Sequence, residues 1–200
     1  MSYFFGTYPS EKRISRLFDL ARLIVQPDYA RRAHITLRGP YDKKPSPRSR
    51  WYRQKLSIGT LTRPNTFFNE NQSTVYLGVH FIELNEVSWK RDFSDGVPHM
   101  TIYDGDDRRF AWQVLDVMRQ FPWQIRIELT PVQVLERKRD YDQSFFLELD
   151  DIDIAFSYIQ QRPLDRRYIR EMHLGQRLFL LKKILEELNS PLNHPSSTPR

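Results

Sequence analysis

The sequence predicts an α+β protein, a sandwich with helices outside its sheets, and three observations carry that prediction. Polar and apolar residues alternate over 33–38 and again over 98–103, the period of half-buried strands. Apolar residues recur at helical spacing over 14–24 and 110–118. The strand–helix order occurs twice along 200 residues, a length sufficient for one domain with its own core.

Taken in order, residues 2–7 (Ser-Tyr-Phe-Phe-Gly-Thr) form an aromatic-rich strand stopped by Pro9. Ser10 is an N-cap for a helix whose buried face is Ile14, Leu17, Phe18, Leu20, Ala21 and Ile24, with Pro27 beyond its end. Residues 33–38 are a second strand ended by Gly39-Pro40, and the Pro-rich stretch 40–50 is a loop. Strands are expected at 56–61 and 74–81, separated by a turn-rich 65–73, with a helical turn around 84–89. The strand 98–103 ends at Asp104-Gly105, and Asp106 or Asp107 caps the helix carrying Phe110, Val114, Leu115, Val117 and Met118. Strands follow at 123–129, 132–135 and 144–149, then helices at 151–161 and about 164–189. The Pro/Ser-rich 191–200 is expected to be a disordered tail.

Composition limits the function classes. Hydrophobic residues are 40 % and charged residues 28 % of the chain, an ordinary globular balance with no run long enough to span a membrane. The opening Met-Ser-Tyr-Phe-Phe lacks the basic and apolar regions of a cleaved signal peptide, so a cytoplasmic location is expected. The absence of cysteine excludes disulfides, thiol nucleophiles and Cys-based metal sites. No phosphate-cradling GxxxxGK[ST] and no GxGxxG occurs, and no His/carboxylate group has metal-ligand spacing; neither metal nor cofactor is expected.

The net charge of +6 is unevenly distributed. Arg31, Arg32, Arg38, Lys43, Lys44, Arg48, Arg50, Arg53 and Lys55 against the single acid Asp42 make 31–55 a +8 segment, leaving −2 for the rest. Such a stripe reads either as the footprint of a polyanionic partner or as a solvated loop.

The most informative feature is a repeat. His34-Ile35-Thr36-Leu37-Arg38 and His99-Met100-Thr101-Ile102-Tyr103 match in pattern, 65 residues apart. In a strand, His34, Thr36 and Arg38 share one face, as do His99, Thr101 and Tyr103, with the intervening apolar residues toward the core. Two imidazoles titrating near neutrality can act as base and acid across a phosphate, and two hydroxyls can donate to its non-bridging oxygens. The competing reading is two edge-strand histidines beside threonines chosen for β propensity.

With these motifs, the chain resembles the two-histidine (2H) phosphoesterase superfamily. That superfamily includes 2′-5′ RNA ligase-like proteins, cyclic phosphodiesterases, 2′,5′-oligoadenylate phosphodiesterases and phage enzymes that degrade cyclic-oligonucleotide immune signals. The resemblance runs over about 1–150: Tyr-Phe-Phe in the opening strand, a helix, Ala-His-Ile-Thr-Leu-Arg-Gly, Tyr-Leu-Gly-Val, and Pro-His-Met-Thr-Ile. It implies a bilobal, pseudo-twofold fold with two antiparallel sheets around a central cleft and outer helices. It also implies that His34, Thr36, His99 and Thr101 are catalytic. On this reading 151–190 is a C-terminal helical extension. The chain departs from the resemblance in its basic Pro-rich loop 40–50, where relatives often carry a helix, and in Tyr103, where an Arg is common.

The expected activity is metal-independent hydrolysis of RNA-type phosphodiesters: 2′,3′-cyclic phosphate ends, 2′-5′ linkages, or cyclic and short oligonucleotide signals. The alternatives are a non-catalytic RNA-binding protein using 40–55 and a 2′-5′ RNA ligase. Expected substrate-binding residues are Arg38, as a phosphate clamp or a surface ion pair, and Tyr103, stacking on a base. Tyr41 reads as a base-stacking ring or an anchor of its loop, and Lys43 and Lys44 as electrostatic guides. The partner is a nucleotide, short RNA or cyclic oligonucleotide, with no membrane, and the protein is expected to be monomeric. His80, two residues after Gly78 in an apolar strand, reads as structural.

Overall fold

A computed structural model describes residues 2–28, 32–49, 56–82, 97–137 and 166–190. Its strands are β1 (Ser2–Thr7), β2 (Ile35–Tyr41), β3 (Ile58–Phe68), β4 (Ser73–His80), β5 (His99–Gly105), β6 (Ile125–Glu128) and β7 (Gln133–Arg137). Its helices are α1 (Lys12–Val25), α2 (Arg108–Met118), α3 (Arg166–Glu171) and α4 (Leu174–Leu188). The expected strand 144–149, helix 151–161, turn 84–89 and tail 191–200 lie outside the described residues, as do Arg31, Arg50, Arg53 and Lys55.

The mixed α+β class holds, but the strands form one antiparallel sheet in the order β6-β3-β4-β5-β2-β1-β7. The expected division into two sheets is replaced by a narrow junction. β2 and β5 pair only through Ile35 with Met100 and Thr36 with His99, and this short ladder joins three strands on one side to four on the other. Both repeat motifs therefore meet at the middle of the sheet.

One face of the sheet is covered by helices. Ile35, Leu37, Met100 and Ile102 are buried beneath α1 and α2, as the alternation requires. The predicted apolar stripes are the buried ones: Ile14, Leu17, Phe18, Leu20, Ala21 and Ile24 on α1, and Phe110, Val114, Leu115 and Met118 on α2, with the expected Val117 only half-buried at the edge of the core. Asp107 caps α2, its side chain accepting from the Phe110 N–H at 2.8 Å. Glu11 rather than Ser10 precedes α1, and it makes no side-chain cap bond.

Helix α4 is no appendage. Leu180, Leu181, Ile184, Leu185 and Leu188 belong to the same buried cluster as Phe18 and Leu115, so the expected boundary at 150 divides a continuous core. Arg177 fastens it: Nε and a terminal nitrogen donate to the carbonyls of Ile24 and Val25, which the end of α1 leaves without intrahelical partners. The single helix expected over 164–189 is divided at 172–173, where His173 becomes the N-cap of α4 in a capping box with Gln176.

Prolines mark where pairing stops. β3 continues to Phe68, past the strand end expected at 61, and carries Pro64 beyond the reach of β6, which pairs only with 58–61. β2 likewise runs on to Tyr41 through Pro40, on a stretch that β5 does not border. A proline lacks the N–H of a strand bordered on both sides, so both sit where one neighbour suffices.

Candidate active site

On the open face the two motifs lie side by side. The β2–β5 register sets Thr36 opposite His99. Continued one residue past the ladder, it brings His34, just before β2, across from Thr101. Residues directly opposite share a face, so two imidazoles and two hydroxyls alternate around one small patch. His34 and His99 are diagonal neighbours, a relation that separates backbone positions by about 7–8 Å and leaves room for one phosphate. All four residues are half-buried.

The imidazoles are held the same way. His34 Nδ1 is 3.0 Å from the carbonyl oxygen of Arg32, and His99 Nδ1 is 2.7 Å from that of Val97, in each case two residues earlier. A carbonyl only accepts, so each Nδ1 carries the proton, and each Nε2 is the ring atom left for chemistry. An antiparallel pair is locally two-fold, and the twin hydrogen bonds follow that symmetry.

The surroundings differ. His99 meets the rings of Tyr76 at 5.3 Å and Phe67 at 5.7 Å, both edge-on, and burial lowers its pKa below the ordinary 6.5. The Val97 carbonyl and Asp104 oppose that shift but do not overcome it. His34 has Tyr8 edge-on at 6.2 Å, and the Arg32 guanidinium lies 4.8 Å above that tyrosine ring. Each strand flanking the motifs supplies a glycine and a tyrosine in exchanged positions. Gly6 is opposite Thr36 with Tyr8 beyond it, whereas Tyr76 is opposite Thr101 and Gly78 opposite His99.

The segment leading to His34 is anchored from below. Asp19 Oδ1 accepts the Ala33 N–H at 2.5 Å, its other oxygen lies 3.9 Å from Arg32 Nε, and Arg22 donates to the Arg32 carbonyl at 3.5 Å. Arg32 also reaches Ser15 Oγ at 3.3 Å. Burial raises the Asp19 pKa to about 6 against the lowering effects of Ala33 N–H, Arg32 and Arg22.

Two expected ligands leave this face, for one reason. Each motif strand bulges after its threonine. Tyr76 pairs with Thr101 but Val75 with Tyr103, passing over Ile102; Gly6 pairs with Thr36 but Phe5 with Arg38, passing over Leu37. A bulge turns two successive side chains to the same side. Ile102 and Tyr103 are thus both buried among the helices, with the Tyr103 ring edge-on to Phe110 at 5.5 Å and its hydroxyl donating to Asp107 O at 3.3 Å. The same displacement sets Arg38 beside the buried Phe5 rather than beside His34.

Tyr41, Lys43 and Lys44 are also placed elsewhere. Five residues separate Thr36 from Tyr41, about 17 Å of strand. The Tyr41 ring packs edge-on against Phe5 at 5.9 Å, and Lys43 and Lys44 are exposed in the turn that follows. Conversely, Tyr8 and Phe67 stand at the motif face without having been singled out, and so do Tyr76 and Gly78, which the sequence offered only as part of Tyr-Leu-Gly-Val. The alternation around Tyr76 and Gly78 is visible in the sequence, but their partner strand is not. His80, read as structural, is exposed at the end of β4.

Among the described residues, no group of three or more His, Asp or Glu is arranged to hold a metal ion, and no helix is long and apolar enough to cross a membrane. No family model matches the chain, and no curated protein matches it.

Proposed function

We propose that this protein is a phosphodiesterase of the two-histidine kind, acting on RNA-type phosphodiesters. The observation that carries the reading is the pair of Nδ1-tethered imidazoles on one sheet face, each beside a threonine of the opposite strand. Two imidazoles held through Nδ1 leave both Nε2 atoms for proton transfer, one as a neutral base and the other, in its protonated form, as an acid, whereas a binding surface has no need of both.

His99 is the base. Desolvation keeps its ring neutral, so Nε2 takes the proton from water or from a ribose 2′-hydroxyl as that oxygen attacks phosphorus. His34 is the acid in this scheme: its protonated form gives the Nε2 proton to the departing ribose oxygen as the phosphorus–oxygen bond breaks. Thr36 and Thr101 donate to the non-bridging oxygens, where charge is concentrated in the transition state. A bilobal arrangement follows from the same reading, with the β2–β5 junction as the floor between two pseudo-equivalent halves.

The test is hydrolysis of 2′,3′-cyclic nucleotides, 2′-5′ and 3′-5′ oligoadenylates and cyclic di- and trinucleotides in EDTA, with His34→Ala and His99→Ala beside the wild type. Expected is turnover in EDTA that falls by about a hundredfold or more in each variant. No turnover of any member by the wild type refutes the reading, and tight RNA binding in its place makes the protein a binder. Joined rather than cleaved ends make it a ligase.

A further inference from the structure

Beside His99, an open groove of ≈ 700 Å³ lies over the paired strands β3 and β4 and against Val97 and Pro98, within the roughly 300–1,000 Å³ typical of small-molecule sites. Its aromatic floor is Phe67, 36 % exposed, stacked on Tyr76 with centroids 4.3 Å apart and planes 18° from parallel. The same Phe67 ring lies against His99, so the floor is continuous with the proposed reacting centre. Gly78 makes room for Thr62 at that point: a Cβ there would come within 2.5 Å of Thr62 Oγ1.

The walls are donors. Asn65 Oδ1 is used by the Thr66 N–H at 2.8 Å, which turns the amide's two N–H donors outward. Arg63 and Thr62 add a guanidinium and a hydroxyl, and among the described residues no carboxylate lines the groove. An exposed ring flanked by neutral and cationic donors fits a flat heteroaromatic carrying a phosphate. Among the described residues the other half of the site has no such stacked floor: Gly6 holds the place equivalent to Tyr76, and Leu135 closes over it.

We infer that the β3–β4 groove is a nucleobase subsite, in which the base of the nucleoside on the His99 side of the scissile phosphate stacks on Phe67. This rests on the phosphodiesterase reading and adds direction to it: the substrate is a nucleotide bound asymmetrically, with its base on one side of the near-symmetric histidine pair. Phe67 is a specificity residue here, and Asn65 and Arg63 present donors to the base edge and an adjoining phosphate.

The experiment is calorimetric titration of the full chain with adenosine 5′-monophosphate and with ribose 5-phosphate, which differ only in the base. It compares wild type, Phe67→Leu and Phe67→Trp. The nucleotide is expected to bind at least about tenfold more tightly than the sugar phosphate. Phe67→Leu removes that difference and Phe67→Trp keeps it, since one stacked base is worth about tenfold or more. Equal binding of the two ligands, undetectable binding of both at millimolar concentration, or a difference that survives Phe67→Leu overturns the subsite. The titration needs no turnover, so an inactive protein that still distinguishes the ligands loses the phosphodiesterase reading and keeps only a base-binding groove on Phe67, with no scissile phosphate beside it.

Discussion

Asp19 offers the sharpest test of how the floor of the site is built. Its carboxyl is 5 % exposed beneath Ala33 and faces Arg22 and Ser15 on its own helix and Arg32 from the loop above. Burial raises its pKa from 3.8 to about 6, so the folded state holds the proton more tightly than the unfolded chain. The sign follows from linkage: any stabilisation by this group is complete below pH 3.8 and is lost as pH rises through about 6. A shift of about two units at about 1.4 kcal/mol per unit amounts to about 3 kcal/mol across that window. The assay is urea unfolding of wild type and Asp19→Asn at pH 4 and pH 7. Asparagine keeps an acceptor for Ala33 N–H but does not titrate, so other groups cancel in the difference, including His99, whose lowered pKa works with the opposite sign. Wild type should lose about 2.5 kcal/mol relative to the variant between the two pH values, slightly less than the full amount because the unfolded chain's carboxyl is already partly ionised at pH 4. Parallel stabilities would show that Asp19 is not desolvated. A relative gain toward pH 7 would show that Arg22 and Arg32 outweigh burial, and either result refutes the reasoning.

Three further outcomes are expected. The acid limb of kcat/KM should lie below pH 6.5, because His99 remains neutral there, and NMR titration of its ring should give the same displaced midpoint. Gly6→Ala should destabilise the fold by about 1–3 kcal/mol in denaturant melts, since its Cβ would meet the Ile35 carbonyl at 2.8 Å and Leu135 at 2.6 Å. Leu181→Ala should cost about 2–5 kcal/mol in one cooperative transition, whereas a separable C-terminal extension would show a second, early transition.

Much of this was legible from local periodicity. Period-2 alternation is a property of each strand alone, so Ile35, Leu37, Met100 and Ile102 are inward and His34, Thr36, His99 and Thr101 outward before any partner strand is known. Helical spacing likewise marked the buried faces of α1 and α2, because amphipathicity is written within a single element. The carbonyls that hold the two Nδ1 protons lie two residues upstream and are equally local.

Tertiary structure decided whatever depends on a second strand. The register that sets Thr36 against His99, and so makes one patch of two motifs, comes from pairing across 65 residues. The bulges that send Tyr103 and Arg38 away from that patch are mismatches between partners, invisible to a period-2 reading of either strand. Phe67 reached His99 only because β3 ran on past its expected end, and Asp19 reached Ala33 only because α1 packs beneath that segment. The apolar spacing of α4 reads as a stripe packed on the core, and Leu181, Ile184, Leu185 and Leu188 are buried there. That α1 and α2 are the elements covering it was decided by tertiary structure, because amphipathic periodicity specifies that a face is covered but not by what.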